Sequence, residues 1–392
     1  MRSEYKIVIC SAALLAAACS KSVMPEAPSA MPQEEWVNNE SLLVPISFGQ
    51  DNYSIISKAA ITPETVEGTQ FGIYGVDLGT DEEWGADVKS VLMYNKVGQY
   101  TVADGKSTIQ FVDETGAPAS YYYPLVTENN FTFYGYHTSN SLITEDPAAQ
   151  NGYWEGDAFY TDVKLGSVDV LWAKASAHDI SGKDENGEDM TVQGFNASYS
   201  RWSRKWYPDS YSDHEPSFTF SHLTSALHFY AVAEDADAEA TLDGKLSIYN
   251  LYIENLPAVA RLCIADKSGE EEGTLAAVGD NDTLYMYNGA DYLNLSVYPK
   301  AGAGAEIGEG LFILPQSAEG MTVNFNLLNP DGSLYLVTRD LPKPANGVFE
   351  AGKSYEFKII VKSIEEIVIQ AIVKSWEPGF VADGDNTVDI LG

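Results

Sequence analysis

From residue 42 onward, the apolar residues of this chain recur at every second position and almost never at every third or fourth. Clear runs are 108–112 (Thr-Ile-Gln-Phe-Val), 131–134 (Phe-Thr-Phe-Tyr), 246–249 (Leu-Ser-Ile-Tyr), 293–297 (Leu-Asn-Leu-Ser-Val) and 321–325 (Met-Thr-Val-Asn-Phe). Two more close the chain, 355–359 (Tyr-Glu-Phe-Lys-Ile) and 367–371 (Ile-Val-Ile-Gln-Ala). A period of two places alternate side chains on opposite faces of a pleated strand. Gly, Pro, Asn and Asp bound the runs and mark turns between them. The 24 tyrosines suit half-buried pleated surfaces, where the ring packs and the hydroxyl stays wet. Long amphipathic patterns are nearly absent, and 81–93 is the best short helical stretch. Many short antiparallel strands indicate an all-β chain of sandwiches or barrels. The 392 residues suffice for two domains. Pro208 and Pro216 interrupt the pattern at 210–217, which divides the chain into β-sandwich domains at 42–214 and 215–392.

The N-terminus directs the chain out of the cytoplasm. Arg2 and Lys6 precede an apolar run over 7–18 that ends in small residues. The run is too short to span a bilayer and reads as a secretory signal over 1–18. Cys19 follows directly, and the segment resembles a bacterial lipoprotein signal, in which that thiol is acylated and becomes the new N-terminus. Residues 19–41, rich in Ser, Pro, Ala and Glu, read as a flexible tether. With a net charge of −34, the chain lacks the basic surface that nucleic acid requires. Anionic lipid would repel it too, so membrane attachment falls to the acyl chains. Cys10 is lost with the signal and Cys19 is acylated, which leaves Cys263 in an apolar run as a buried thiol. No disulfide can form within the mature chain, and its stability rests on packing.

Signatures of catalysis and of cofactor or metal binding are missing, and neither an enzyme, a cofactor nor a metal is expected. None of the five histidines forms a zinc motif. His222 and His228, at even spacing, are expected on one strand, with no third ligand evident. One patch stands out from the acidic background, Ser200-Arg201-Trp202-Ser203-Arg204-Lys205-Trp206-Tyr207. Arg201, Trp202, Trp206 and Tyr207 are the residues of a platform for sugar rings or a partner peptide. The preferred reading is a loop packed at the domain junction, its arginines paired with nearby acids.

Several motifs, in order, resemble those of the fimbrillin superfamily, the pilins and pilus-associated lipoproteins of type V pili. They are Tyr122-Tyr123-Pro124 with Phe133-Tyr134-Gly135-Tyr136, and Asp169-Val170-Leu171-Trp172-Ala173. The run over 218–227 with its His222-Leu223 pair looks like the strand that opens the second domain. Leu311-Phe312-Ile313-Leu314-Pro315-Gln316, Ala351-Gly352-Lys353-Ser354-Tyr355 and the closing run 369–376 complete the set. The resemblance implies two transthyretin-like β-sandwich domains in tandem and a lipid-anchored, surface-exposed protein of the outer membrane and fimbrium. It also implies assembly with other pilus subunits by donor-strand exchange, in the service of cell adhesion. A protease of Arg or Lys specificity removes the first strand, and a neighbour's C-terminal strand fills the groove. Here Val44, Ile46 and Phe48 alternate as a removable strand would, and Pro45 suits an edge. Lys58-Ala59 is the expected processing site, and the tail 381–391 carries Val388 and Ile390 as the expected donor residues. An accessory protein that is never cleaved fits the same motifs. The alternative function is a surface lipoprotein binding host or bacterial glycan, or a protein partner, through the aromatic patch.

Overall fold

The computed structural model describes residues 37, 39, 42–48, 54–55, 68–77, 91–103, 106–125, 130–138, 152–176, 178–183, 186–286, 295–362, 367–375 and 388–389. The chain is a β-sandwich protein, as its alternation requires. A seven-stranded sheet forms its first half, in the order Ser54–Ile55, Thr219–His222, Leu171–Ala175, Phe131–His137, Gln70–Asp77, Val91–Ala103, Lys106–Val112. Ser54–Ile55 runs parallel to its neighbour and every other pairing is antiparallel. Val91–Ala103 is a strand where the end of a helix was expected, and 81–90 lie outside the described residues.

Both faces of that sheet are buried. Along Phe131–His137, Phe131 and Phe133 belong to one core, while Tyr134 and Tyr136 belong to another on the opposite face. Gln70–Asp77 divides the same way, Phe71 and Ile73 against Tyr74 and Val76. The first core is closed by the 42–48 segment, the hairpin Asp179–Lys183/Asp189–Gln193 and the helix Ala197–Trp206. The second continues into the C-terminal sheets. Leu227, Phe229, Phe357 and Ile359 from Ser225–Ala233 and Lys353–Val361 meet Ile248, Ile253, Val323 and Phe325 from Ser247–Pro257 and Thr322–Leu328.

The halves are joined more tightly than a cut at 214 implies. Thr219–His222 hydrogen-bonds to Leu171–Ala175 within the first sheet, so the chain crosses into the C-terminal sheets at Leu223 and Thr224, not at Phe218. A four-stranded sheet also spans the halves, because Ala158–Lys164 pairs with Val259–Asp266. Tyr74 and Phe159 pack ring on ring at 4.3 Å beneath it. Lys174 and Tyr134 both reach Glu272, at 2.6 and 2.5 Å, and add a polar tie.

Candidate functional site

Alternation along 42–48 decides what this segment does. Val44–Pro45 forms a two-residue antiparallel ladder, Val44 opposite Tyr123 and Pro45 opposite Tyr122. The Ile46 amide then donates to the Tyr121 carbonyl at 2.8 Å. Pro45 has no N–H to offer, which keeps the ladder short. The hold comes from side chains: Val44, Ile46 and Phe48 are 0, 4 and 2% exposed in the first core. Phe48 stacks on Phe218 with ring centroids 4.8 Å apart. It meets Phe133 and Phe111 edge-on at 5.5 and 5.7 Å, the geometry that favours ring quadrupoles.

The other face of the segment meets the Ala197–Trp206 helix. Asn196 caps this helix, its side chain accepting the Tyr199 amide at 2.9 Å. Arg204 and Lys205 lie in its last turn, where cations favour the helix dipole. Tyr199 and Trp202, three residues apart, face the 179–193 hairpin. They approach so closely that a Cβ at Gly194 or Gly182 would stand 2.4 or 2.2 Å from their rings, so only glycine fits. Arg201 and Arg204, also three apart, face the first strand. Arg201 Nη2 donates to the Leu42 carbonyl at 2.5 Å. Arg204 Nη2 donates to Ser47 Oγ at 2.9 Å, and Ser47 Oγ donates to Glu215 Oε1 at 2.7 Å. Arg204 also pairs directly with Glu215 and lies 4.0 Å over the Tyr211 ring. Burial pushes the Glu215 carboxyl up from the ordinary range, against the pull of Arg204 and Ser47. The first strand is thus held on both sides, by apolar residues in the core and by a buried ion pair bridged by its one hydroxyl.

The aromatic-basic patch is therefore a helix and not a loop. Arg201 and Trp202 are buried, Trp206 is 40% exposed, and the half-buried Tyr207 donates its hydroxyl to the Ser181 carbonyl at 3.1 Å. These rings do not form one open face. Val388 lies opposite Val373, in a two-residue strand at the outer edge of Ile367–Ser375. Cys19, Lys58, Ala59 and Ile390 lie outside the described residues. The two histidines expected on one strand sit in different sheets. His222 reaches Asp169 at 2.8 Å and His228 reaches Glu306 at 2.9 Å. Among the described residues, no group of three or more His, Cys, Asp or Glu is arranged to hold a metal ion. No described helix is long and apolar enough to cross a membrane. The sequence reading missed Ser47 and Glu215, since nothing local links residues 168 apart.

A family model described as fimbrillin-like matches residues 58–376. Among solved structures, the chain is similar to a candidate cell-adhesion protein from Bacteroides uniformis, at 16% identity and a TM-score of 0.49, over 88% of this chain and 100% of that one. It is also similar to a fimbrial protein from Bacteroides vulgatus, at 14% identity and a TM-score of 0.41, over 84% and 99%. A third is the tip fimbrial protein Mfa3 from Porphyromonas gingivalis with a C-terminal truncation, at 8% identity and a TM-score of 0.37, over 86% and 100%. No curated protein matches the chain.

Proposed function

The chain belongs to the fimbrillin-like family, and from that premise we propose that it is a surface-pilus subunit or pilus-accessory lipoprotein, serving adhesion, whose 42–48 strand is the exchangeable part. The observation that carries this reading is the way that strand is attached. Its ladder is two residues long, while three alternate side chains fill the first core. Such a strand behaves as a plug. Once it is gone, the Tyr121 carbonyl loses the Ile46 amide and the slots among Phe111, Tyr123, Phe133 and Phe218 stand open. An added strand with the same alternation satisfies both.

The family match begins at Lys58, downstream of this strand. Cutting at Lys58-Ala59 would release the plug. The tail 381–391 would act as donor through Val388 and Ile390, and Val388–Asp389 already occupies an outermost edge from which it can be withdrawn. Contacts of this head-to-tail kind do not close on themselves and build filaments. Subunits carrying a net charge of −34 repel one another, so a buried apolar strand is a better adhesive than surface ion pairs. Acylated Cys19 would hold the precursor at the outer membrane.

The test is to produce the chain together with its partner pilus subunits, treat them with a Lys-specific protease, and follow its incorporation into polymers by electron microscopy and denaturing gels. Lys58→Ala, and deletion of 381–392, should each leave monomers. Normal polymers from both variants would refute assembly by strand exchange and leave the uncleaved accessory protein as the better answer.

A further inference from the structure

We propose that Arg204 and Glu215 select the strand that fills the seat. In this reading the occupant carries serine or threonine between its second and third core-facing residues and an aromatic ring at the third. It comes from a different chain and not from a second copy of this one. The inference rests on the strand-exchange reading above and adds the identity of the partner.

Two of the helix's contacts with the strand differ in kind. Arg201 holds the Leu42 carbonyl, which any strand would offer. Arg204 and Glu215 hold a side-chain hydroxyl, the first donating to it and the second accepting from it. The side chains of that pair are 7 and 6% exposed, so water replaces the hydroxyl poorly. Alanine at this place leaves hydrogen bonds to buried charges unmade. Aspartate adds a second negative charge beside Glu215. One residue further on, three rings surround Phe48 and want an aromatic partner.

The chain's own tail meets both demands in no register. With Val388 and Ile390 in the places of Val44 and Ile46, Leu391 falls at the hydroxyl position and Gly392 among the rings. Moved one slot along, Asp389 falls between Arg204 and Glu215. Run in the opposite direction, Thr387 reaches the hydroxyl position, but Asn386 then enters the ring cage, and a shift of one slot again presents Asp389; no register brings an aromatic ring to the cage, because 381–392 holds none. The subunit accordingly gives its tail to one kind of chain and receives a strand from another.

The probes are synthetic peptides of residues 40–50 and of 381–392. The protein is the full chain with a specific protease site inserted between 58 and 67, cut after folding and freed of its released segment in mild denaturant. The 40–50 peptide should bind, and its Ser47→Thr form should bind within about threefold of it. The Ser47→Ala form should bind roughly tenfold more weakly, as hydrogen bonds to charged groups imply. The tail peptide should not displace it. Glu215→Gln in the cut chain should narrow the serine–alanine difference, because only Arg204 then binds the hydroxyl as a charged group, and circular dichroism verifies that this variant folds. Equal binding of the Ser47→Ala peptide, or displacement by the tail peptide, would overturn the selection. Binding of no peptide to a folded cut chain would instead sink strand exchange itself, and the selection with it.

Discussion

Replacing Phe48 by alanine tests whether the first strand opens by itself. The ring is 2% exposed, stacks on Phe218 and meets Phe111 and Phe133 edge-on. Removing a ring so enclosed costs about 3–5 kcal/mol, the transfer of its surface plus the cavity left behind. At about 1.4 kcal/mol per decade, that is a factor of a hundred or more in an opening equilibrium. The decisive question is where this appears. A plug held by a two-residue ladder should open locally. Hydrogen exchange at the Ile46 amide, which donates to Tyr121, should then accelerate at least a hundredfold. Amides of Lys353–Val361, in the C-terminal sheets, should change little. Leu43→Ala, at a half-buried position, is the control and should shift Ile46 by less than tenfold. Equal acceleration at Ile46 and in Lys353–Val361 would mean that the strand opens only with the whole molecule, and the plug argument would fail.

Three further outcomes follow from the same structure. Because the folded Glu215 carboxyl sits above its ordinary 4.5, its contribution to stability is full below that pH and is lost as pH rises through the raised value. The melting temperature of the wild type should therefore fall relative to Glu215→Gln as pH climbs from 4.5, and a difference independent of pH would contradict this. Burial pushes the Cys263 thiol up to about 12, helped by Asp266, Glu271 and Glu272. Thiol reagents at pH 8 should leave the native protein unmodified and react once it unfolds, and fast native labelling would place Cys263 at the surface. Separate expression of 42–214 and 215–392 severs the ladder between Ala158–Lys164 and Val259–Asp266. Each fragment should aggregate or bind a hydrophobic dye, and two soluble, cooperatively melting fragments would show that this ladder is dispensable.

Alternation made the strands legible, and with them the three core-facing residues of 42–48. What it hid had physical causes. Tyrosines were expected on half-buried surfaces with wet hydroxyls, yet Tyr134 and Tyr136 along Phe131–His137 are buried against the C-terminal sheets. The Ala197–Trp206 helix was signalled by Asn196 as a cap and by aromatics at 199, 202 and 206, a spacing of three and four. Its arginines and tryptophans allowed a packed loop, the preferred reading, or an outward platform, and the structure has a helix with buried partners on both sides of it. Pairings such as Tyr160 with Cys263, and Ser47 with Glu215, depend on distant segments arriving at one place. Even spacing of His222 and His228 misled because the chain changes sheets between them, at Leu223 and Thr224.

The distance between Ser47 and Glu215 sets an order of events. The strand is synthesised well before its hydroxyl's acceptor, which comes 168 residues later, and before Phe218, later still. At about 5–20 residues per second, the ribosome needs roughly ten to thirty seconds to cover that interval. Throughout it, Val44, Ile46 and Phe48 have no finished slot to enter. The segment that waits for residues so far along the chain is also one whose departure leaves the antiparallel pairings from Thr219–His222 to Lys106–Val112 in place.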